Sequence, residues 1–309
     1  MHTYEYTRGL DYDSIVATSE RVAWTVDEIY QDRLFDTSKR IVPESWVQTR
    51  DLDFLNEQEQ LTLNHIRAFS YVHIFSNFEE FIPIHLMGLA QRDWHDSRGH
   101  LRALMRFGDE EMKHQQLFIR AEAVMEESCG CTFGRYFDAE KTRVTALTKA
   151  FLEFPPLPRF LLLSAFEWGS QRHYVDSIQD QTGDGADDLY SDILKAHWIE
   201  ESQHTKTGGL EIEQLARDMS PEDLSAAFEE VQGLAALADE VFVGQVEQEI
   251  ETFQKLAGRT LLDAEAKALY EVLYRSTGEI WVDVGMTHPS FTKMARELSK
   301  DGAANLGIN

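Results

Sequence analysis

Glu79 is followed by Glu111-x-x-His114, and Glu167 is followed by Glu201-x-x-His204. The two sets are offset by 88 residues at the leading glutamate and by 90 residues at each E-x-x-H, so the second half of the chain repeats the first in residue type, order and spacing. Residues three apart on a helix share a face, which lets Glu111 act together with His114 and Glu201 with His204. Four carboxylates and two imidazoles make a mixed oxygen and nitrogen donor set suited to iron or manganese, whereas structural zinc more often recruits thiolate. A glutamate from each of two helices, joined by an E-x-x-H from each of two others, is the ligand layout of a two-metal carboxylate site inside a four-helix bundle.

The faces carrying these residues are apolar. Leu104, Phe107, Phe118 and Met125 share the row of Glu111 and His114, and Phe160, Leu163, Ser170 and Tyr174 share that of Glu167. Buried carboxylates without partners are costly and raise one another's pKa, and a bound cation removes both objections. The first ligand is Glu79 or Glu80; the row through Glu79 (Phe75, Ile82, Leu86) is the more apolar. A further histidine, His197, lies four residues before Glu201 and seven before His204, so His197-x-x-x-Glu201-x-x-His204 is one stripe and assigns His197 to the same metal as the other two. The corresponding residue in the first half is Phe107. Each E-x-x-H is also preceded by a second acid, Glu110 or Glu200. Metal-bound imidazoles commonly donate their other N–H to a carboxylate, and the reading crosses the pairs, Glu110 to His204 and Glu200 to His114; the alternative for both acids is plain solvation. Tyr174, one row beyond Glu167, is a candidate to tune or quench the site, against the simpler role of a buried tyrosine bonded to a carbonyl.

Periods near 3.6 dominate the chain and alternating strand-like runs are scarce, which predicts an all-α protein. An amphipathic helix is expected over 12–33. Asp53-Phe-Leu-Asn56 caps a second, running to about Leu89, and a third spans about Arg98–Glu127. Residues 128–158 form a long connection broken by Gly130, Gly134, Pro155, Pro156 and Pro158, with a short helix around Ala139–Leu152. Further helices are expected over about Arg159–Gln179, ending before Gly183-Asp-Gly185, and Asp187–Thr207, stopped by Gly208-Gly209. Two helices, a long crossover and two more is the connectivity of ferritin-like bundles. The expected organisation is one domain over 1–309, with a core bundle at about 57–210, an N-terminal extension over 1–56 and C-terminal helices over 211–300. The last two helical patterns, about Glu222–Leu256 and Asp263–Ser299, pack outside the bundle, cover an access route or form a homodimer surface; residues 301–309 are expected to fray.

The 309 residues carry 29 Lys and Arg against 54 Asp and Glu, a net charge of −25 that repels nucleic acid and anionic membranes alike. The start, Met1-His-Thr-Tyr-Glu-Tyr, has neither the basic nor the apolar region of a secretory signal, and no run reaches the ~18 apolar residues of a membrane span, so a cytoplasmic protein is expected. Cys129 and Cys131 are too close for an ordinary disulfide and are not a C-x-x-C pair; they read as loop residues without chemical duty.

The ligand frame resembles the di-iron carboxylate class, which includes ribonucleotide reductase small subunits, acyl-carrier-protein desaturases, bacterial multicomponent monooxygenases and ferritins. The added His197 makes the chain similar to the p-aminobenzoate N-oxygenase (AurF-like) family. The resemblance covers about residues 72–208. It implies two iron ions, with manganese as the other candidate, held by Glu79 (or Glu80), Glu111, His114, Glu167, His197, Glu201 and His204. It also implies O2 activation through a peroxo intermediate, N-oxygenation of an amine substrate and an external electron donor, since no flavin, nicotinamide or iron–sulfur signature is present. An aminobenzoate carboxylate calls for an arginine, yet none lies between Val72 and Leu86; Arg67, Arg106 and Arg172 are the nearest in sequence. Phe118 stands where a radical-storing reductase subunit usually presents tyrosine. Hydroxylation or desaturation of C–H bonds is the competing enzyme reading, and a ferritin-like ferroxidase is a further one.

Overall fold

A computed structural model describes residues 4–93, 97–179 and 187–308, and among them there are helices and no strand. Helix α1 (Tyr12–Val22) starts at Asp11, which accepts from the Ser14 N–H. The helix expected over 12–33 is in fact two, because Thr25 and Glu28 form a reciprocal capping box that begins α2 (Val26–Tyr30). A second capping box, Asn56 with Glu59, starts α3 (Glu57–Phe78). The pattern expected to run on to Leu89 breaks at Glu79-Glu80 and resumes as α4 (Phe81–Asp93). Pro83 accounts for the break: it has no N–H for the Glu79 carbonyl and its ring crowds that oxygen. The Ile82 N–H takes the Glu79 carbonyl instead, at 3.1 Å.

Helix α5 (Arg98–Cys129) is capped by Ser97 and ends at Gly130, whose φ of 60° is the left-handed conformation that glycine adopts without strain. Helix α6 (Gly134–Glu153) is longer than the short helix expected there. Helix α7 (Pro156–Tyr174) opens with Pro156 in its first turn and runs on into a π-helical turn, Val175–Gln179. The expected stop at Gly183-Asp-Gly185 lies outside the described residues.

Helix α8 (Asp188–Ala216) does not end at Gly208-Gly209 but passes through them. Their role is close packing, since a Cβ on Gly208 would sit 3.1 Å from the Ser164 Oγ and one on Gly209 would strike Tyr6 at 2.6 Å. Helix α9 (Pro221–Ala257) precedes α10 (Asp263–Gly278), a π-helical turn over Glu279–Asp283 and α11 (Val284–Met286). Pro289 then starts α12 (Pro289–Leu298), so the single helix expected to Ser299 is broken. The tail forms α13 (Lys300–Asn305) rather than fraying, because Ala303 and Ile308 are buried in the core.

One apolar core runs through the chain from Tyr30 to Ile308. Helices α3 and α4 pack on α5, α7 packs on α8, and α5 meets α8, while α3 meets α7 through side chains such as the Phe78 and Phe166 rings, 5.0 Å apart. The two ends of the chain cover opposite sides. Helices α1 and α2 lie on α5 and α8, while α9, α11 and the Glu279–Asp283 turn pack on α7, with α9 also touching α3. Tyr12 anchors the N-terminal cover by donating to Glu211 at 2.7 Å, and His100 of α5 meets the same carboxylate at 2.8 Å. No helix among the described residues is long and apolar enough to cross a membrane.

Candidate metal centre

Helix register brings Glu111 and His114 of α5 and Glu201 and His204 of α8 face to face, and all four are buried. Each offers a donor atom within 4.8 Å of those of the other three. His204 Nδ1 lies 2.8 Å from Glu111 Oε1, 3.1 Å from Glu201 Oε1 and 3.7 Å from Glu167 Oε2. His114 Nδ1 lies 3.3 Å from Glu201 Oε1. Glu79, His114 and His197 form a second group of the same tightness. In it His197 Nε2 is 3.2 Å from Glu79 Oε1 and 3.3 Å from Glu201 Oε1. His197, placed by the stripe on α8 with Glu201 and His204, thus lies beside Glu201 and also reaches across the bundle to the first-half residues Glu79 and His114. Of the two adjacent acids at the α3–α4 break, Glu79 is buried in this cluster and Glu80 is exposed.

The structure brings the crossed pairs together. His114 Nε2 and Glu200 Oε2 are 3.0 Å apart, and His204 Nε2 and Glu110 Oε2 are 3.1 Å apart. Both acids are fully buried and each has its own cation. Lys113 pairs with Glu200; Arg106 lies 3.0 Å from Glu110, which also accepts from the Ser19 hydroxyl of α1. The rings are wedged by aromatic neighbours: Trp24 stacks on His114, Phe107 on His204 at 3.9 Å between centroids, and Phe75 and Phe118 each meet His197 edge-on at 5.1 Å.

The electrostatics are those of a cage short of positive charge. Burial, then the neighbouring glutamates, push the Glu79 and Glu167 carboxyls well above the usual range. Burial also raises Glu111, with His204 opposing it. Burial works against Glu201 too, but His197, Glu167 and His204 outweigh it and hold that carboxyl well below the usual range. Glu110 is likewise held at about 2, where His204, Ser19 and Arg106 overcome burial. His114 rises to about 9 because Glu200, Glu201 and Glu111 overcome the burial that opposes its charge. His197, depressed to about 3 first by burial and then by the other histidines, keeps a neutral ring with a lone pair to donate.

Several carboxylate oxygens here have no hydrogen bond: Glu79 Oε2, Glu111 Oε2 and Glu167 Oε2. Orphaned buried carboxylate oxygens cost several kcal/mol each, so the donor set fits cations. The buried Glu and His groups are compatible with a metal site.

On the side facing away from Glu110 and Glu200, Glu79, Glu167 and Glu201 border a cavity of about 30 Å³. That is room for a water or a dioxygen molecule. Its other walls are apolar, including Phe75, Phe78, Ile82, Leu163, Phe166 and Trp281. The last comes from the Glu279–Asp283 turn, so the C-terminal region, which packs outside α3 and α7, supplies a wall of this cavity. The turn is tied down by His173, whose Nε2 lies 2.7 Å from the Ile280 carbonyl and whose Nδ1 accepts from the Tyr71 hydroxyl. Burial depresses His173 to about 4, so its ring is neutral in this chain.

Tyr71, His173 and Trp281 escaped the sequence reading. His173 sits off the Glu167 row, and Trp281 belongs to a π-helical turn with no motif to mark it. Tyr174 packs on Trp198, with ring centroids 5.2 Å apart, rather than joining the carboxylate and imidazole network. The three arginines are committed elsewhere. Arg67 bonds Glu249, Thr277 and the Leu273 carbonyl; Arg106 serves Glu110 and Ser19; Arg172 pairs with Asp176. Cys129 closes α5, Cys131 follows it, and both are free thiols, that of Cys129 raised to about 11 chiefly by burial. No protein-family model matches the chain and no curated protein is similar to it, so the site is read from its own geometry.

Proposed function

We propose that the chain is a non-haem di-iron oxygenase of ferritin-like type that oxygenates an amine nitrogen. The observation that carries the reading is the convergence of four carboxylates and three imidazoles, with three carboxylate oxygens lacking any hydrogen bond, beside a cavity sized for a diatomic gas. A structural role leaves those atoms without purpose; a single cation leaves most of the four carboxylates uncompensated. His114 belongs to both donor groups, and Glu201 Oε1 lies within 3.3 Å of nitrogens of His114, His197 and His204. When bound, a pair of iron ions supplies the electrons that activate O2.

The overall reaction consumes an amine, O2, two electrons and two protons and yields a hydroxylamine and water, so an external reductant is part of the proposal. The residues of the chain hold the ligand rings in place through Glu110 and Glu200, exclude bulk water with an aromatic wall, and admit O2 next to Glu79 and Glu167. The extra imidazole supports nitrogen over carbon as the site of attack, because it is the feature by which the ligand set resembles the arylamine N-oxygenases; His197, with its neutral ring, would give the metal pair a third nitrogen donor. Single turnover of the reduced, iron-loaded chain under labelled O2, across aliphatic, amino-acid and aryl amines, tests this. Label on nitrogen is the expected result. Products hydroxylated or desaturated at carbon, with no N-oxidised species, would replace it with the C–H reading.

A further inference from the structure

Tyr71 and His173 are buried, and neither belongs to the metal-holding set. Their hydrogen bonds fix where each proton lies. His173 Nε2 is 2.7 Å from the Ile280 carbonyl, which can only accept, so that nitrogen carries the N–H. A neutral imidazole has one N–H, and burial keeps this ring neutral. Nδ1 is therefore a bare lone pair, and the Tyr71 hydroxyl donates to it at 2.5 Å. The phenol aims its proton at a base. Tyr30 and Tyr190, comparably buried, donate instead to the Leu117 and Ala68 carbonyls, which cannot take a proton.

The same phenol lies in a continuous run of rings that starts at the cage. Phe75 meets His197 at 5.1 Å and Tyr71 at 4.9 Å. Trp281, which borders the cavity together with Glu79, Glu167 and Glu201, stacks on Tyr71 at 5.1 Å. Trp46, outside the cavity lining, lies 4.6 Å from it. Tyrosine and tryptophan are among the side chains that give up a single electron most readily, and rings in contact pass electrons quickly. A phenol that loses an electron becomes a strong acid, so its oxidation is easy only where a base can take the proton at the same moment. Of the rings in this run, Tyr71 has that base.

We propose that Tyr71 is a one-electron donor to the metal centre and that His173 receives its proton. The inference rests on the oxygenase reading. When O2 has oxidised the iron pair and no amine is present to be consumed, one electron passes from Tyr71 to the pair, the phenolic O–H bond breaks and an N–H bond forms at His173 Nδ1. The products are a neutral phenoxyl radical, an imidazolium and a metal pair reduced by one electron. The external reductant later restores the electron, and the proton returns to the phenol because burial disfavours the charged imidazole. Rapid-freeze EPR tests this with two oxidants: O2 added to the Fe(II)-loaded full chain without amine, and photogenerated tris(bipyridine)ruthenium(III) acting on the metal-free full chain. A tyrosyl signal that narrows with ring-deuterated tyrosine is expected from both. Tyr71→Phe is expected to abolish it under O2 and to diminish it under ruthenium, which also reaches exposed tyrosines. His173→Gln has an amide able to accept from the phenol and donate to the Ile280 carbonyl, yet it cannot be protonated. Its signal is expected to fall as far as that of Tyr71→Phe, whereas a purely structural role for the pair would leave it intact. No Tyr71-dependent signal with either oxidant, or a signal unchanged in either variant, would overturn the inference. Product analysis separates the two claims. An N-oxidised product from a chain in which O2 raises no Tyr71 radical sinks only this inference; a Tyr71 radical under ruthenium with no N-oxidised product sinks only the oxygenase reading.

Discussion

The two sides of the metal centre are built from opposite materials. Toward α1 and α2, His114 and His204 each meet a buried carboxylate, Glu200 or Glu110, and each carboxylate meets a cation, Lys113 or Arg106. Toward α11 and the Glu279–Asp283 turn, Glu79 and Glu167 each keep an oxygen without a hydrogen bond and face aromatic rings. The first side has its charges and donors matched, which fixes ring orientation. The second has spare acceptors and a cavity, which on the proposed function is where O2 arrives. The difference teaches that one donor set serves two needs, rigidity and access, by giving each its own face.

That contrast breaks first at the residue belonging to both sides. Glu201 Oε1 lies within 3.3 Å of nitrogens of His114, His197 and His204. Glu201→Ala is expected to cost more than the ~100-fold affinity loss typical of an outer partner, and metal analysis after dialysis should find both ions depleted. Retention of two ions would show that Glu201 holds neither.

The matched side predicts a paired result. Glu110→Gln and Glu200→Gln are each expected to lower metal affinity by ~10–100-fold and by similar amounts, measured by competition with a chelator. One loss without the other would show that the crossed pairs do unequal work.

Protonation gives a smaller, graded effect. Carboxyls raised above their usual range, as Glu79 and Glu167 are, hold protons that a metal must displace, and the raised His114 does the same. Loading therefore releases protons, and affinity is expected to rise with pH up to the region of the His114 value near 9. Titration in weak buffer checks the sign; proton uptake on loading would contradict it.

The cavity side predicts the smallest effect on metal. Phe166→Leu is expected to leave metal affinity within ~2-fold, because the ring touches no ligand-orienting group, while changing small-molecule binding in the cavity. A tenfold loss of metal would show that the two sides are not separable.

Much of this was legible because helical spacing is local. The E-x-x-H pairs, the stripe through His197 and the acids before each pair need only the 3.6 period to be placed on faces, and α5, α7 and α8 deliver them as that period requires. The helix breaks were less legible: Thr25 with Glu28 and Pro83 were local signals outweighed by an apolar pattern running past them, while Gly208-Gly209 looked like a stop but is a packing surface. The approach of His197 to Glu79 and His114 was not legible, since it depends on how α8 faces α3 and α5. Nor was Trp281, because a π-helical turn shifts register, and no motif announces which ring it will turn toward a site far away in sequence.

The central claim is that the cage holds two metal ions. Anaerobic reconstitution of the full chain with Fe(II), removal of loosely bound metal and elemental analysis tests it most directly, and the account predicts about two equivalents per chain. A firm value of one or zero, in protein whose helical content and melting match a folded chain, would contradict it.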